Sequence, residues 1–483
     1  MRIAYWSPLP PQRSGIADYS AELLPHLAAH LDVDLVLGEG PRPEGELARF
    51  RSWPARELPR RLAAGECAAV LYHLGNNRDF HRDIYRTLLA LPGIVVLHEY
   101  VLHHLVRDLT LHSGDPAGYL AEMRYAYGKS GEALARRALA TGVPLDPWSF
   151  PLFERVADRS LGLLVHNDTT AQRVLASRPD ARLARVPHHL SLGGLPRLDR
   201  AAARAALGLP ADALLVATFG FLTAAKRLDV LLPAFARLRR ELPQARLRLV
   251  GEVSPHYDFA RVFRDELRAG VTLVGRTELP EFLLHMAAAD LAVNLRFPTS
   301  GETSGTLIRL LGMGRPVIVS RTGAFAEIPD DCCAKVDLDD TEGELLFACL
   351  RLLATDEPLR RRMGENARRH VATHHTLEGS ARACADFVRR TVEAAPRPFR
   401  ALPPLAPYPE DDLLSELVAE VSAELCDLVG PRAVIAGGKE QATGGGGKAA
   451  RGREDAADGR GDAAGEGGDA ADNRGDAAGQ GGD

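Results

Sequence analysis

Five short stretches of this chain combine residue types that could handle phosphate and hydroxyl groups. Lys226 is one of only five lysines among 59 basic residues, and it follows Gly220 where a helix should open. An ammonium beside the free N–H groups of a helix start suits a diphosphate, with Arg227 next to it as a second cation. In Gly301-Glu302-Thr303-Ser304-Gly305, a carboxylate sits among small residues at another expected helix start. Glu302 could accept hydroxyls there while the N–H groups of Thr303, Ser304 and Gly305 hold phosphate or further hydroxyls. A long loop ending in Ser14-Gly15 and running into Asp18 presents backbone N–H groups in the same way. His98 and the Gly75-Asn76-Asn77 run end two further strand-like segments, and an imidazole at a strand end can donate to a sugar hydroxyl or support a leaving phosphate. The fifth stretch is Gly323-Ala324-Phe325-Ala326-Glu327. Read singly, each has an ordinary explanation too: a solvated lysine, a turn capped by Ser304, a satisfied histidine, a surface glutamate.

These residues gain meaning from the elements that must carry them. Short apolar runs over 2–6, 33–37, 69–73, 94–98 and 161–166 alternate with helical patterns such as 19–30 and 82–91. The alternation restarts with runs over 214–219, 247–251, 272–274, 291–294 and 316–320, with helical patterns over 228–242, 281–289 and 304–314 between them. Strands alternating with helices predict an α/β protein with two doubly wound parallel sheets facing a cleft. Ligands of such sheets bind at the carboxyl ends of strands, where the five stretches fall. The expected domains are 1–195 on the acceptor side and 205–392 on the donor side. A Pro-rich linker and amphipathic helix fill 393–436, with the helix over 411–429. A helical insertion over 107–151 carries Tyr119, Tyr125, Tyr127 and Trp148, for which packing is the expectation.

Composition narrows the function. The formal charge is −5, and residues 437–483 hold six basic and ten acidic side chains, −4 of it, so the remainder is near neutral and a nucleic-acid surface is excluded. That tail lacks large apolar residues and is 16 Gly in 47, so disorder is expected; the Gly444–Lys448 and Arg460–Asp462 look-alike motifs inside it carry nothing. No apolar run is long enough for an integral membrane segment, and the first residues open as a strand without a signal-peptide layout. The acidic face expected for 411–429 also disfavours membrane attachment. Six cysteines without C-x-x-C spacing fit neither a disulfide framework nor a zinc site, and a cytoplasmic location is expected.

Taken together, Ser14-Gly15-Ile16-Ala17-Asp18-Tyr19, His98, Gly220 with Lys226 and Asp229, and Gly301-Glu302-Thr303-Ser304-Gly305 with Gly314-Arg315-Pro316-Val317 resemble the family-4 retaining glycosyltransferases of GT-B fold over residues 1–392. The resemblance implies sugar transfer from a nucleotide-diphosphate sugar to an acceptor hydroxyl of a glycan, lipid-linked or small molecule. It implies no cofactor and no metal, the leaving phosphate itself taking the acceptor's proton. By position, Lys226 resembles the lysine that neutralises the diphosphate, Glu302 the glutamate that holds donor-sugar hydroxyls, His98 the histidine lining that sugar, and Gly15 the glycine near the phosphates. Gly220, Arg227, Thr303, Ser304, Gly305 and Arg309 complete the expected donor side, and Asp18 and Asn76 the acceptor side. Two departures stand out: Phe221 replaces an arginine, so Lys226 needs Arg227 or another basic group, and, anchored on Gly314-Arg315-Pro316 with a one-residue slip at the Glu302 end, Arg309 takes the place of the second glutamate of the E-x7-E stretch. Rival expectations are a nucleotide-sugar epimerase of the same fold and a catalytically silent sugar-nucleotide-binding protein. The missing dinucleotide fingerprint and its downstream ribose carboxylate argue against a hydride-transferring enzyme.

Overall fold

The computed structural model describes residues 1–38, 40–195 and 199–394. The Pro-rich linker, the helix expected over 411–429 and the 437–483 tail lie outside the described residues. Among the described residues, thirteen strands make two sheets. The first comprises β1 (Arg2–Trp6), β2 (Asp32–Leu37), β3 (Ser52–Pro54), β4 (Val70–Leu74), β5 (Ile94–Leu97), β6 (Gly162–Val165) and β7 (Leu183–Arg185), in the order β3-β2-β1-β4-β5-β6-β7. The second comprises β8 (Leu215–Phe219), β9 (Arg246–Val250), β10 (Val271–Gly275), β11 (Leu291–Asn294), β12 (Val317–Ser320) and β13 (Ala334–Val336), in the order β10-β9-β8-β11-β12-β13. Every pairing is parallel. Both domains are therefore doubly wound and Rossmann-like, as the alternation predicts.

Parallel strands covered on both faces must bury successive residues on opposite sides. On β1, Ala4 and Trp6 enter one core with Tyr72 and Val95, while Ile3 and Tyr5 enter another with Leu23, Leu24 and Leu27. That second core also takes in Ala381, Cys384, Ala385, Phe387 and Val388 of helix Leu377–Glu393. This helix, which the sequence reading assigns to the donor domain, packs against helix Gly15–Leu27 of the first domain. Its spacing announces an amphipathic helix but says nothing about which sheet receives its apolar face. The chain thus crosses between domains twice, and the crossings lie side by side: Leu190 N–H donates to His375 O at 2.8 Å, and His375 Nδ1 to His188 O at 2.7 Å.

In each sheet the strand order reverses between the first strand and the one beside it, β1/β4 and β8/β11. Chain leaving the two strands there goes to opposite faces, which opens a crevice. The loop after β1 ends at Ser14, the N-cap of helix Gly15–Leu27, whose first turn holds Gly15 and Asp18; the loop after β4 carries Asn76, and those after β8 and β11 carry Lys226 and Glu302. The insertion forms helix Pro116–Thr141, broken at Gly128, where φ is 69°. Its tyrosines point into the first domain: Tyr119 OH reaches His103, Tyr125 OH Asp158, and Tyr127 OH the Leu152 N–H. Packing accounts for them.

Candidate active site

The centre of the second-domain crevice is a buried lysine amine. Residues 224–226 form a single 3-10 turn after β8, which folds Lys226 back onto the carboxyl ends of the central strands β8 and β11, 3% exposed. Its Nζ donates to Phe219 O at 2.8 Å and to Asn294 Oδ1, at the end of β11, at 3.1 Å. Burial, and then the nearby Arg296 guanidinium, hold the Lys226 pKa well below its ordinary value of 10.5; Glu302 works in the other direction. Asn294 donates in turn to Ser304 Oγ at 3.3 Å, and Ser304 caps helix Gly305–Gly312 by accepting from Leu307 N–H at 3.2 Å. A Cβ built on Gly220 would lie 3.6 Å from Lys226 Nζ and 3.7 Å from Thr306 Oγ1. Gly220 (φ 93°) therefore roofs a small space between the ammonium, a hydroxyl and a helix start. Ammonium, hydroxyl and N-terminal N–H groups are the donors a phosphate oxygen accepts from.

Glu302 stands beside this space with its carboxylate held from three sides. Oε2 accepts from Ser300 N–H at 2.8 Å and Thr299 Oγ1 at 3.0 Å, while Oε1 pairs with Arg296 Nε at 3.1 Å. Arg296 is the second cation near Lys226. Arg227 is not: it occupies a left-handed position (φ 55°) that turns its guanidinium away to Glu342 and to Asp229. The sequence could not distinguish them, because 54 of the 59 basic residues are arginine (59 less five lysines) and Arg296 bears no motif.

First-domain groups close over the Glu302 loop. Tyr100 N–H donates to Ser300 O at 2.9 Å, and Asn167 Nδ2 to Gly301 O at 2.8 Å and to Thr303 Oγ1 at 3.0 Å. Glu327, in the fifth stretch, caps helix Asp168–Ser177 of the first domain, accepting from Asp168 N–H at 3.0 Å and Thr169 N–H at 2.6 Å. Arg309 reaches across to Glu22 at 2.6 Å and faces Asp18. At this position, then, helix Gly305–Gly312 presents a cation that joins the domains. Gly15 lies open, with nothing within 4 Å of a Cβ built on it, and Asp18 is exposed.

Two first-domain expectations change. Asn76 Oδ1 is committed to Leu105 N–H at 2.9 Å, so this side chain holds the 103–109 helix. His98 has both ring nitrogens engaged: Nε2 is 3.1 Å from His73 Nδ1 and Nδ1 is 3.3 Å from His166 Nε2. His166 Nδ1 lies 2.9 Å from Val186 O, which only accepts. Assigned from that carbonyl, the neutral rings form a directed chain in which His166, His98 and His73 each donate from Nδ1. Burial keeps them uncharged, pulling His166 down to about 4 and the other two well below 6.5. Neither His98 nitrogen is turned to a sugar hydroxyl in this arrangement.

Glu99, one residue past His98, carries no sequence signal yet completes the site. Its Oε1 accepts from Asn76 N–H at 2.8 Å. Burial, with repulsion from Glu302, raises its pKa from 4.5 to about 7, against the opposing Asn76 N–H and Arg296. A carboxyl raised by folding stabilises below pH 4.5, and that contribution is lost as pH rises through about 7. Glu99→Gln should therefore melt level with the parent near pH 5 and about 2–5 °C above it near pH 8. Equal melting of the two proteins at both pH values would refute the buried-pair electrostatics.

The fold places the molecule among GT-B proteins. It superimposes on sucrose-phosphate synthase from Thermosynechococcus elongatus with a TM-score of 0.57 at 19% identity, covering 82% of this chain and all of that one. Anabaena HepE, solved in complex with UDP and glucose, gives 0.54 at 14% identity over 80% of this chain and 99% of that one. In sequence, residues 213–355 match the family described as "Glycosyl transferases group 1". A D-inositol 3-phosphate glycosyltransferase 2 from Catenulispora acidiphila is 29% identical over 322 residues, 62% of this chain and 73% of that protein. The D-inositol 3-phosphate glycosyltransferase of Saccharomonospora viridis is 29% identical over 270 residues, 53% of this chain and 62% of that protein. Residues 213–355 thus carry a glycosyl transferases group 1 domain, and the chain is similar to D-inositol 3-phosphate glycosyltransferases. Among the described residues, no helix is long and apolar enough to cross a membrane.

Proposed function

We propose that this protein transfers a sugar from a nucleotide-diphosphate sugar to an acceptor hydroxyl with retention of anomeric configuration. The observation that carries this reading is the buried Lys226 ammonium, set under Gly220 beside Thr306 and the start of helix Gly305–Gly312 at the reversal point of the second sheet. A charged amine is expensive to bury, and a dianionic diphosphate at that spot is the partner that offsets the cost. Relatives named as D-inositol 3-phosphate glycosyltransferases, and a similar fold solved with UDP and glucose, support the same class of donor.

As the anomeric carbon leaves the diphosphate, positive charge grows on the sugar and negative charge on the leaving oxygen. Lys226, Arg296 and the helix N–H groups stabilise the latter, while Glu302 accepts sugar hydroxyls and fixes the ring. The leaving phosphate takes the acceptor's proton on the same face, so no side-chain base and no metal is invoked. Domain closure on the 299–303 loop limits loss of the donor to water. A thermal-shift panel of UDP, GDP, ADP, dTDP and their sugars tests the reading, with selective stabilisation by one diphosphate and its conjugates as the expected result. Glu302→Gln should then slow acceptor-dependent release of that diphosphate about a hundredfold. Stabilisation without turnover in any acceptor mixture would favour a silent binder, and interconversion of the free donor an epimerase.

A further inference from the structure

The helix start that receives the donor in the proposed function has a second flank, formed by the segment joining the domains. A Cβ built on Gly305 would lie 3.4 Å from His188 Nε2 and 3.1 Å from an Arg309 guanidinium nitrogen. Lys226 and Asn294 bound residues 304–306 on one side, and His188 bounds them on the other. The imidazole is firmly placed. Its Nδ1 lies 2.9 Å from His189 O, its backbone carbonyl accepts from His375, and its ring packs edge-on against Tyr19 at 5.1 Å. With Nδ1–H directed at a carbonyl, Nε2 presents a lone pair towards the helix start.

We propose that His188 is a substrate-contacting residue of the donor site, whose Nε2 engages the diphosphate at Gly305 and takes up one proton as the diphosphate binds. This rests on the donor reading above. A neutral Nε2 repels a phosphate oxygen, and a protonated one donates to it through a charge-assisted bond. The surroundings keep the ring neutral until an anion arrives. Tyr19 lies on helix Gly15–Leu27, which also brings Asp18 and Glu22 to Arg309; His166 and His98 follow β6 and β5; His189 is adjacent; His375 ends helix Glu357–His374; and Arg309 faces it from helix Gly305–Gly312. Burial first, then His189, His166 and Arg309, hold the His188 pKa well below 6.5. Glu22 is already paired with Arg309, so an arriving phosphate is the unmatched negative charge. The proton comes from solvent on binding and returns to it when the nucleoside diphosphate leaves.

The test is calorimetric titration of UDP, GDP, ADP and dTDP into the full chain, in buffers of differing ionisation enthalpy near neutral pH. Lys226 and the nucleotide contribute protons of their own, so the measure is the difference between the parent and His188→Asn. We expect that difference to be about one proton per site. Binding to His188→Asn should be about tenfold weaker near pH 6.5 and close to parental near pH 9. His166→Asn should keep the parental uptake. In the parent, the nitrogen-15 ring signals of His188 should move to the imidazolium pattern on adding the bound diphosphate, which needs no variant to fold. His188→Asn with parental affinity and uptake, while Lys226→Met loses binding, would overturn this inference and leave the donor reading standing. Failure of all four nucleotides to bind the parent would overturn both.

Discussion

Replacing Lys226 with methionine is expected to cut sugar transfer about a thousandfold while moving the melting temperature by no more than about 4 °C. The activity loss follows from the chemistry. In the proposed transfer the leaving diphosphate would gather charge in the space roofed by Gly220, where Lys226 is the buried basic group already in place. Arg296 alone does not replace it, being already paired with Glu302. The small stability change follows from two effects of opposite sign. The variant leaves Phe219 O and Asn294 Oδ1 without the ammonium, at about 1–3 kcal/mol each. It also removes a charge that the fold buries at considerable cost, as the depressed pKa of Lys226 records. The sign can be checked separately. A base whose pKa is lowered by folding makes the protein more stable as pH rises from its folded value towards 10.5, because the unfolded chain then binds more protons. Lys226→Met should lose that alkaline rise. Transfer within tenfold of the parent by a folded Lys226→Met protein would remove the ammonium from the mechanism.

Gly301→Ala is expected to lower transfer about a hundredfold and to be rescued in part by Tyr100→Ala. Gly301 has φ 84°, a left-handed position that costs other residues about 1–2 kcal/mol. A Cβ there would come within 2.2 Å of the Tyr100 ring and 2.8 Å of Thr170 Oγ1, both in the first domain. The clash has two exits, a shifted loop or domains held apart, and either displaces the adjacent Glu302 by enough to matter. Tyr100→Ala removes the nearest obstacle and leaves the backbone strain. The double variant should therefore recover activity to within about tenfold of Tyr100→Ala alone. Equal activity of Gly301→Ala and its double variant would show that Tyr100 does not position the loop.

These residues also show which parts of the molecule are legible in the sequence. Lys226 stood out because lysine is scarce and the position follows a strand; Glu302 stood out because small residues surround it at a helix start. The two sheets followed from apolar runs alternating with helical periods. β3, β7 and β13 escaped because three residues are too few to show a period. Helix Leu377–Glu393 lies within the 205–392 expected on the donor side but packs on the first domain, since an apolar face does not name the surface that covers it. The remaining omissions cross the domain boundary. Glu99 acquires its raised pKa from burial and from Glu302, about two hundred positions away, and His188 meets Gly305 only once the joining segment has turned. Arginine abundance hid opposite fates. Arg204 is fully buried on Asp290 as part of the scaffold, Arg227 turns away to Glu342, and Arg296 joins the site. No spacing rule separates the three.

The paired crossings at Leu190 and His375 restrict how one half of the molecule can travel relative to the other. A single connection would act as a ball joint, free to swing and to twist. Two strands bonded to each other act as the pin of a door, leaving one rotation cheap and the others stiff. Under such a rotation, displacement grows with distance from the pin. Were the halves to rotate about it, His188, which sits on the pin, would hardly move, whereas the clasp of Glu327 on helix Asp168–Ser177, far from the pin, would have to open first.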